Sequence, residues 1–349
     1  MGIEQRAFRL LLQRLNVASN EHYTYRSRPK AASGVGLWSD PETAVAGFAV
    51  VMQGPVCEQD QFTLETLRIY RKLMPTATLI VSTWEDTPAS LLAPIRQDGV
   101  DVVLSSKPHY PGILNINMQL ESAKAGISHA IAGGASWVLK TRTDQRMLAP
   151  NLPAYLVALA NSFPVKGNWL QRHRIFGLGM GTLKYGLYHL TDQTVFGWAD
   201  DMLQYWSPPY REDQPRADWP TDPAQRFATV PVGQLYPEAA PESYFASQYL
   251  ARIGRPLDWT IADSWAAFRD HFGVADLSST DFYWIKNQGS SFLEDDRRYH
   301  GIDNRLTLDF KEWLLLYSGA LGLQAAKRAE PSLLGYFYDD VSPPGKDLQ

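Results

Sequence analysis

Apolar residues in the first half of the chain follow two alternating patterns. Short continuous apolar runs indicate strands that are buried on both faces: AGFAVVMQ (Ala46 to Gln53), TLIVSTW (Thr78 to Trp84), DVVLSS (Asp101 to Ser106) and SWVLKTRTD (Ser136 to Asp144). Two of the segments between them carry apolar residues at helical spacing, Thr63 to Met74 and Ile116 to Ile131. Strands that alternate with helices of this length predict an α/β fold with a mainly parallel sheet flanked by helices.

The pattern changes after residue 150. Residues 207–241 are rich in proline and predict a long surface loop or lid. PESYFASQYLARIG predicts a helix with Pro241 in its first turn, and DFKEWLLLYSGALGLQAAKR (309–328) predicts a final amphipathic helix. At the other end, residues 1–45 predict an extension with a short amphipathic helix around Gln5 to Leu15.

Composition removes several classes of protein from consideration. The chain has 349 residues with 33 basic and 37 acidic side chains, so its net charge of -4 argues against nucleic acid as a partner. Cys57 is the one cysteine, which excludes an internal disulfide and a cysteine-based zinc site. The N-terminus lacks the pattern of a signal peptide, and the chain has no apolar run of transmembrane length. These features predict a cytoplasmic protein.

The fourth predicted strand ends in charged residues that a buried sheet does not normally contain. Side chains alternate along a strand, so Lys140, Arg142 and Asp144 are expected to project to one side at its carboxyl end. Ligands of open parallel sheets bind beyond this edge. Two interpretations remain open for the three residues: ion pairs that solvate the strand end, or a local site for an anion.

Polar groups at the other strand ends favour the functional interpretation. A ligand at this edge would meet residues of the first and second strands and the loops that follow them: Gln53, Gly54 and Pro55, and then Ser82, Thr83 and Trp84. Gly54 allows close approach of the backbone, and Trp84 offers a ring on which a base can stack. Polar groups at the ends of several strands together predict a ligand-binding edge.

Six segments of the chain, in this order, resemble the WavE lipopolysaccharide-synthesis family. They are VMQGPV, the helix start with Thr63, Thr66 and Leu67, TLIVSTWED, LKTRTDQRM, LTDQTVFGWADDMLQYW and PESY. The resemblance spans roughly Ala46 to Gly254, and KTRTD with STW are its most specific parts. It implies a bacterial glycosyltransferase of the GT-A type that acts in lipopolysaccharide core or surface-glycan assembly.

On this resemblance, the expected fold is GT-A-like and the chain divides into four parts. Residues 1–45 are the N-terminal extension, 46–150 the nucleotide-sugar-binding half, 151–305 the acceptor-binding half with loop 207–241, and 306–349 the C-terminal helix and tail. The donor-binding residues would be those of the strand ends, namely Gln53, Gly54, Pro55, Ser82, Thr83, Trp84, Lys140, Arg142 and Asp144.

The resemblance also raises the question of a metal ion. GT-A enzymes commonly place an Asp-x-Asp motif here, which holds Mn²⁺ or Mg²⁺ against the donor diphosphate. In this chain the triplet is Arg142-Thr143-Asp144, with an arginine in the first position. Asp144 is therefore the expected metal ligand. In the alternative, Asp144 binds a hydroxyl of the donor, and Arg142 and Lys140 neutralise the phosphates directly.

Two further carboxylates are candidates for catalysis at the acceptor. An inverting transfer needs a general base for the acceptor hydroxyl, and Asp192 in HLTDQ and Glu242 in PESY are the candidates. Asp192 is equally suited to starting a turn. Glu242 also suits the first turn of a helix, where the dipole favours a carboxylate.

The expected function is transfer of a sugar from a nucleotide sugar to a glycan or glycolipid acceptor. The alternatives are a sugar nucleotidyltransferase, although QGPVCEQD lacks a basic Gly-rich loop, and a non-catalytic glycan-binding protein that uses the eleven Trp and seventeen Tyr. The helix predicted at 309–328 closes the core, forms a dimer contact or rests on the inner membrane, with core closure favoured. Peripheral membrane contact and the oligomeric state remain open.

Overall fold

A seven-stranded sheet runs through the computed structural model of the chain, in the order β3-β2-β1-β4-β7-β6-β8. The structure describes residues 3–19, 27–36, 39–178, 181–211, 218–222, 225, 229–230, 240–287 and 307–322. Its strands are β1 (Phe48–Gln53), β2 (Thr78–Trp84), β3 (Asp101–Ser105), β4 (Trp137–Arg142), β5 (Gln145–Met147), β6 (Ile175–Leu178), β7 (Val195–Trp198), β8 (Phe272–Ala275) and β9 (Phe282–Trp284).

Helices connect the strands and cover the sheet. Within the described residues they are α1 (Ile3–Ala18), α2 (Phe62–Leu73), α3 (Ala89–Gln97), α4 (Ile116–Ala132), α5 (Leu152–Ser162), α6 (Ala199–Tyr205), α7 (Pro241–Arg252), α8 (Ile261–Asp270), α9 (Leu277–Thr280) and α10 (Phe310–Tyr317). Short 3₁₀ turns lie at Ala32–Gly34, Pro41–Thr43, Gln59–Gln61, Ile113–Asn115 and Ile285–Asn287.

The prediction of a mainly parallel α/β sheet is confirmed. Strands β1 to β4 pair in parallel, as crossovers through α2, α3 and α4 require. Strand β7 then pairs antiparallel with β4, and β6 antiparallel with β7. Because β7 runs opposite to β4, the residues that precede β7 lie at the carboxyl edge of β4. The sheet therefore brings residues near 192 to the same edge as residue 142.

The predicted fourth strand is wrong at its end. Strand β4 stops at Arg142, and the chain turns before β5, which pairs with β9 in a separate two-stranded sheet. The Thr143 N–H donates the last ladder hydrogen bond, to Gln53 O (3.2 Å), and its hydroxyl donates to Pro55 O (2.5 Å) in the loop after β1. Strict strand alternation therefore does not extend to Asp144, which reaches Arg142 through the turn.

Helix α4 lies unusually close to the sheet. A Cβ atom at Gly126 would come within 2.5 Å of Val51 Cγ1 and 2.9 Å of Ser82 Cβ. Strand β1 is buried along its whole length, so the sheet cannot retreat from the helix. Glycine at position 126 thus fixes the depth at which α4 packs across β1 and β2.

Helix α10, near the end of the described residues, packs against the core. Helix α10 buries Trp313 and Leu316, and the indole of Trp313 donates to the carbonyls of Phe268 and Phe272. The helix predicted over 309–328 ends at Tyr317 in the structure, and residues 323–328 lie outside the described residues. Much of the predicted loop 207–241 lies outside them as well. Among the residues described, no helix combines the length and the apolar character that a membrane crossing requires.

Candidate active site

The candidate site begins where β1 and β4 end side by side. Gln53 lies opposite Arg142 in the parallel register. Gly54 follows with a φ of 117°, a conformation that favours glycine, and its N–H donates to Ser82 O (3.0 Å). Together with the two hydrogen bonds of Thr143, these contacts fix the loop after β1 against the turn after β4.

Arg142, Asp144 and Lys286 form a charged cluster at this edge. Arg142 Nε and Nη2 donate to the two carboxylate oxygens of Asp144 (2.9 and 3.0 Å), and Lys286 Nζ lies 2.8 Å from Asp144 Oδ2. Burial would raise the pKa of Asp144, but the hydrogen bonds and charges of Arg142 and Lys286 outweigh it and hold that pKa well below its usual range. One carboxylate thus serves two cations.

This cluster does not fit a divalent metal ion. The described residues contain no group of three His, Cys, Asp or Glu side chains that could hold one. Both oxygens of Asp144 already accept hydrogen bonds from cations. The two cations outnumber the carboxylate by one, so the cluster has a net positive charge. At a distance of about 4 Å and an effective dielectric constant of about 20, this charge repels a divalent ion by about 8 kcal/mol. The residues described at this edge therefore suit an anionic ligand better than a cation.

Lys140 does not take part in this cluster. Its side chain is fully buried, and its Nζ lies 2.6 Å from Asp192 O, 3.4 Å from Gln193 O and 4.3 Å from the centre of the Trp206 ring. Burial is the main cause that lowers the pKa of Lys140 to about 7. Its Nζ bonds the loop before β7, which argues against Lys140 as a group that neutralises donor phosphates.

Asp192 and Glu242 come together on that side of the edge. The carboxyl of Glu242, at the start of α7, is within reach of the charge of Asp192, and its Oε2 lies 3.6 Å from His189 Nε2. Burial, and then the charge of Asp192, raise the pKa of Glu242 well above its usual value. Burial also lowers the pKa of His189 to about 4, so its ring is neutral at neutral pH. The raised pKa favours the protonated form of Glu242.

A pair of glutamines connects the two sides of the site. Gln145 follows Asp144 directly, and its Nε2 donates to Gln193 Oε1 (2.6 Å). Gln145 Oε1 accepts from the hydroxyl of Thr194 (3.0 Å). The turn that carries Asp144 is thereby hydrogen-bonded to the loop that carries Asp192.

The side chains of the second strand end face inward. Ser82 Oγ donates to Ser122 O (2.6 Å), the Thr83 and Thr87 hydroxyls are 3.1 Å apart, and Trp84 is 5% exposed. Ser82, Thr83 and Trp84 thus fix the edge from within. The use of Trp84 as a stacking ring remains a prediction, and the buried position of the ring argues against it.

Several residues of the site were not anticipated from the sequence. Lys286 and Trp284, whose ring lies 5.7 Å from the guanidinium of Arg142, come from the end of β9 and the turn after it. No pattern in the sequence connects them with β4. Gln145 and Gln193, in contrast, are immediate neighbours of Asp144 and Asp192, and their polar side chains at that position were a usable signal.

Comparison with known proteins identifies one family. The model described as WavE lipopolysaccharide synthesis matches residues 48–243, which is more than half of the chain. No curated protein matches the chain. Among solved structures, mannosyltransferase PcManGT from Pyrobaculum calidifontis, in complex with GDP-Man and Mn²⁺, is similar with 12% identity and a TM-score of 0.34, over 88% of this chain and 86% of its own.

A second solved structure, mannose-1-phosphate geranyltransferase from Thermus thermophilus, is similar over a shorter region. The identity is 17% and the TM-score 0.24, over 40% of this chain. The chain spans 43% of the length of that protein. At these TM-scores neither likeness establishes details of the site.

Proposed function

The chain belongs to the WavE lipopolysaccharide synthesis family, and from this premise we propose that it is a glycosyltransferase of the GT-A type. It transfers a sugar from a nucleotide sugar to a glycan or glycolipid acceptor in lipopolysaccharide core or surface-polysaccharide synthesis. The observation that carries the proposal is the carboxyl pair Asp192 and Glu242 beside a cationic strand edge, with the two sides joined by Gln145 and Gln193.

The proposed step uses Asp192 as the general base. Because its raised pKa favours the protonated form, Glu242 is the weaker candidate for the base, and the role falls to Asp192. The acceptor hydroxyl oxygen attacks the anomeric carbon of the donor and gives its proton to Asp192. The bond from that carbon to the phosphate oxygen breaks, and the diphosphate leaves with the bonding electrons.

Glu242 and Lys140 support this step in different ways. A protonated Glu242 can donate a hydrogen bond to the acceptor or to Asp192. Lys140 acts through the backbone, since its ammonium holds the carbonyl of Asp192 at 2.6 Å. We therefore regard Asp192 and Glu242 as the catalytic pair and Lys140 as a positioning residue.

The test is binding and turnover of nucleotide sugars by the full chain. Thermal unfolding with UDP, GDP, CDP and CMP should identify one nucleotide that stabilises the protein, because a ligand at about 100 times its Kd adds about 2.7 kcal/mol. The matching nucleotide sugar should be slowly hydrolysed without acceptor, and Asp192→Asn should lower that rate by about 10²- to 10⁴-fold. No response to any nucleotide would refute the proposal.

Two other functions give different results in the same assay. A sugar nucleotidyltransferase would form a nucleotide sugar from a sugar phosphate and a nucleoside triphosphate and would release pyrophosphate. A glycan-binding protein would be stabilised by oligosaccharide alone and would hydrolyse no nucleotide sugar. Either result in place of nucleotide-sugar turnover would replace the proposed function.

A further inference from the structure

The strand edge at Asp144 carries more positive charge than its carboxylate can balance. Arg142 occupies both oxygens of Asp144 in a two-pronged ion pair, and Lys286 adds a second cation to Oδ2. A structural ion pair would be complete with Arg142 alone. The ion pair of an exposed lysine adds little to stability, and the side chain of Lys286 is 62% exposed. The second cation is therefore surplus unless an anion binds here.

Both cations retain hydrogen-bond donors for such an anion. Arg142 Nη1 donates to no atom of the described residues, whereas Nε and Nη2 hold the guanidinium plane against Asp144. The ring of Trp284 lies 5.7 Å from the same guanidinium and restricts its movement. Lys286 uses one of its three N–H groups on Asp144. The edge thus presents a fixed guanidinium next to a mobile ammonium.

We infer that Arg142 and Lys286 hold the diphosphate of the donor in place of a divalent cation. The inference rests on the proposed function and names the groups that bind the leaving diphosphate. Arg142 and Lys286 carry two positive charges, of which the carboxylate of Asp144 balances one, and arginine and lysine are common phosphate ligands. Asp144 acts as the positioning residue that orients both cations, and it binds neither metal nor phosphate.

The test measures nucleoside diphosphate binding with metal removed. Calorimetric titrations use the full chain in excess EDTA with whichever of UDP, GDP or CDP gives the largest thermal shift. We expect binding with a Kd that changes less than about threefold when Mn²⁺ replaces EDTA. Lys286→Gln should weaken binding by about 10- to 100-fold, as expected for a charge-assisted hydrogen bond, and Lys286→Arg should restore most of it.

The control is Lys124→Gln, which removes an exposed lysine of α4. It should change the Kd by less than about twofold. Unfolding temperatures of the Lys286 variants should equal that of the wild type, which separates a binding defect from a folding defect.

The outcomes distinguish this inference from the proposed function. Diphosphate binding that disappears in EDTA and returns with Mn²⁺ would overturn the inference and leave the transferase proposal intact. An unchanged Kd in Lys286→Gln would do the same. Failure of every nucleotide to bind, with or without metal, would instead reject the transferase proposal.

A separate observation concerns helix α1, whose apolar side chains face solvent. Leu10 is 61% exposed, Leu11 53%, Leu15 40% and Val17 87%. Within residues 6–18 of the helix, no side chain is buried. A helix that packed these side chains against the domain would leave them less exposed.

The charges of α1 indicate what covers it. Its sequence IEQRAFRLLLQRLNVA contains three arginines and a single acidic residue. Leu11 and Leu15 lie one turn apart on one face, Arg9 lies on nearly the opposite face, and Arg14 lies beside Leu11 at the edge of the leucine face. We propose that α1 binds the surface of a membrane that contains anionic lipids, with its leucines among the acyl chains and its arginines at the headgroups.

Vesicle sedimentation tests this second proposal. The chain should bind phosphatidylglycerol-containing vesicles and bind phosphatidylcholine vesicles at least about 10-fold less. Leu11→Ser with Leu15→Ser should abolish binding. Leu170→Ser, which removes a leucine that is 72% exposed elsewhere on the protein, should not. Equal binding of both vesicle types, or a dimer by light scattering that the α1 variants dissociate, would overturn it.

Discussion

Lys140 offers a direct test of the electrostatics of the site through protein stability. Its ammonium is fully buried, and burial lowers its pKa from 10.5 to about 7. Between these two pH values the unfolded chain still holds the proton that the folded chain has lost. The free energy of unfolding should therefore rise with pH across this window, since the unfolded state binds more protons.

The size of the effect follows from the shift. Each pH unit in which only the unfolded chain is protonated adds about 1.36 kcal/mol. Because the folded group is still half protonated at its own pKa, the rise between about pH 7 and about pH 9 comes to about 2 kcal/mol. Below pH 7 both states are protonated, so the contribution of Lys140 no longer changes.

The assay compares the wild type with Lys140→Met, which keeps the length of the side chain and removes the titrating group. Urea unfolding followed by tryptophan fluorescence gives the free energy of unfolding at each pH. The difference between the two proteins should change by about 2 kcal/mol across the window, in favour of the wild type at high pH. Other titrating groups cancel in this difference. A difference that stays constant with pH would mean that Lys140 keeps an ordinary pKa, and the reasoning would be wrong.

Three further substitutions test the packing and the two sides of the site. Gly126→Ala should lower the free energy of unfolding by about 1 to 3 kcal/mol, although alanine is the better helix former, because its Cβ meets the facing strand at 2.5 Å. Gly322→Ala is the control, since a Cβ there meets nothing within 4 Å. A stabilised Gly126 variant would contradict the packing argument. Glu242→Gln mimics the protonated acid, so it should keep at least about a tenth of the activity at neutral pH and remove the alkaline limb of the pH–rate profile; complete loss at every pH would make Glu242 the base. Asp144→Ala should abolish transfer and lower the free energy of unfolding by about 2 to 4 kcal/mol, because a largely buried Arg142 loses its partner; calorimetry and turnover check both, and retained transfer would place the donor elsewhere.

Local patterns in the sequence were sufficient for the parallel half of the sheet. Strand β2 coincides with the predicted Thr78 to Trp84, and α4 with the predicted helix to within one residue. In both segments the burial pattern is regular along the element, so periodicity alone identifies it. Helix α3 was missed because Pro94 lies inside it, where a proline normally argues against a helix.

The antiparallel half and the charged cluster depend on tertiary contacts that no local pattern contains. Strands β6, β7 and β8 have four residues each, too short for a periodic signal. At the end of β4, the hydroxyl of Thr143 donates to Pro55 O in the loop after β1, a contact 88 residues apart in the sequence. Lys286 reaches Asp144 because β9 pairs with β5, a contact between segments far apart in the sequence. The charges were therefore predictable, and their partners were not.

In the proposed transferase, the hydrogen bond between Gln145 and Gln193 would make donor binding and acceptor binding thermodynamically dependent on each other. A ligand that moves the Asp144 turn must either carry the Asp192 loop with it or break a 2.6 Å amide contact. Donor and acceptor affinities are then linked by a coupling free energy, and the coupling is reciprocal. It is measurable as the ratio of donor Kd values with and without acceptor, and Gln193→Ala should bring that ratio closer to unity, while the hydrogen bond from Thr194 to Gln145 remains. In the proposed transferase, this coupling would favour the complex with both substrates bound without a domain closing over them.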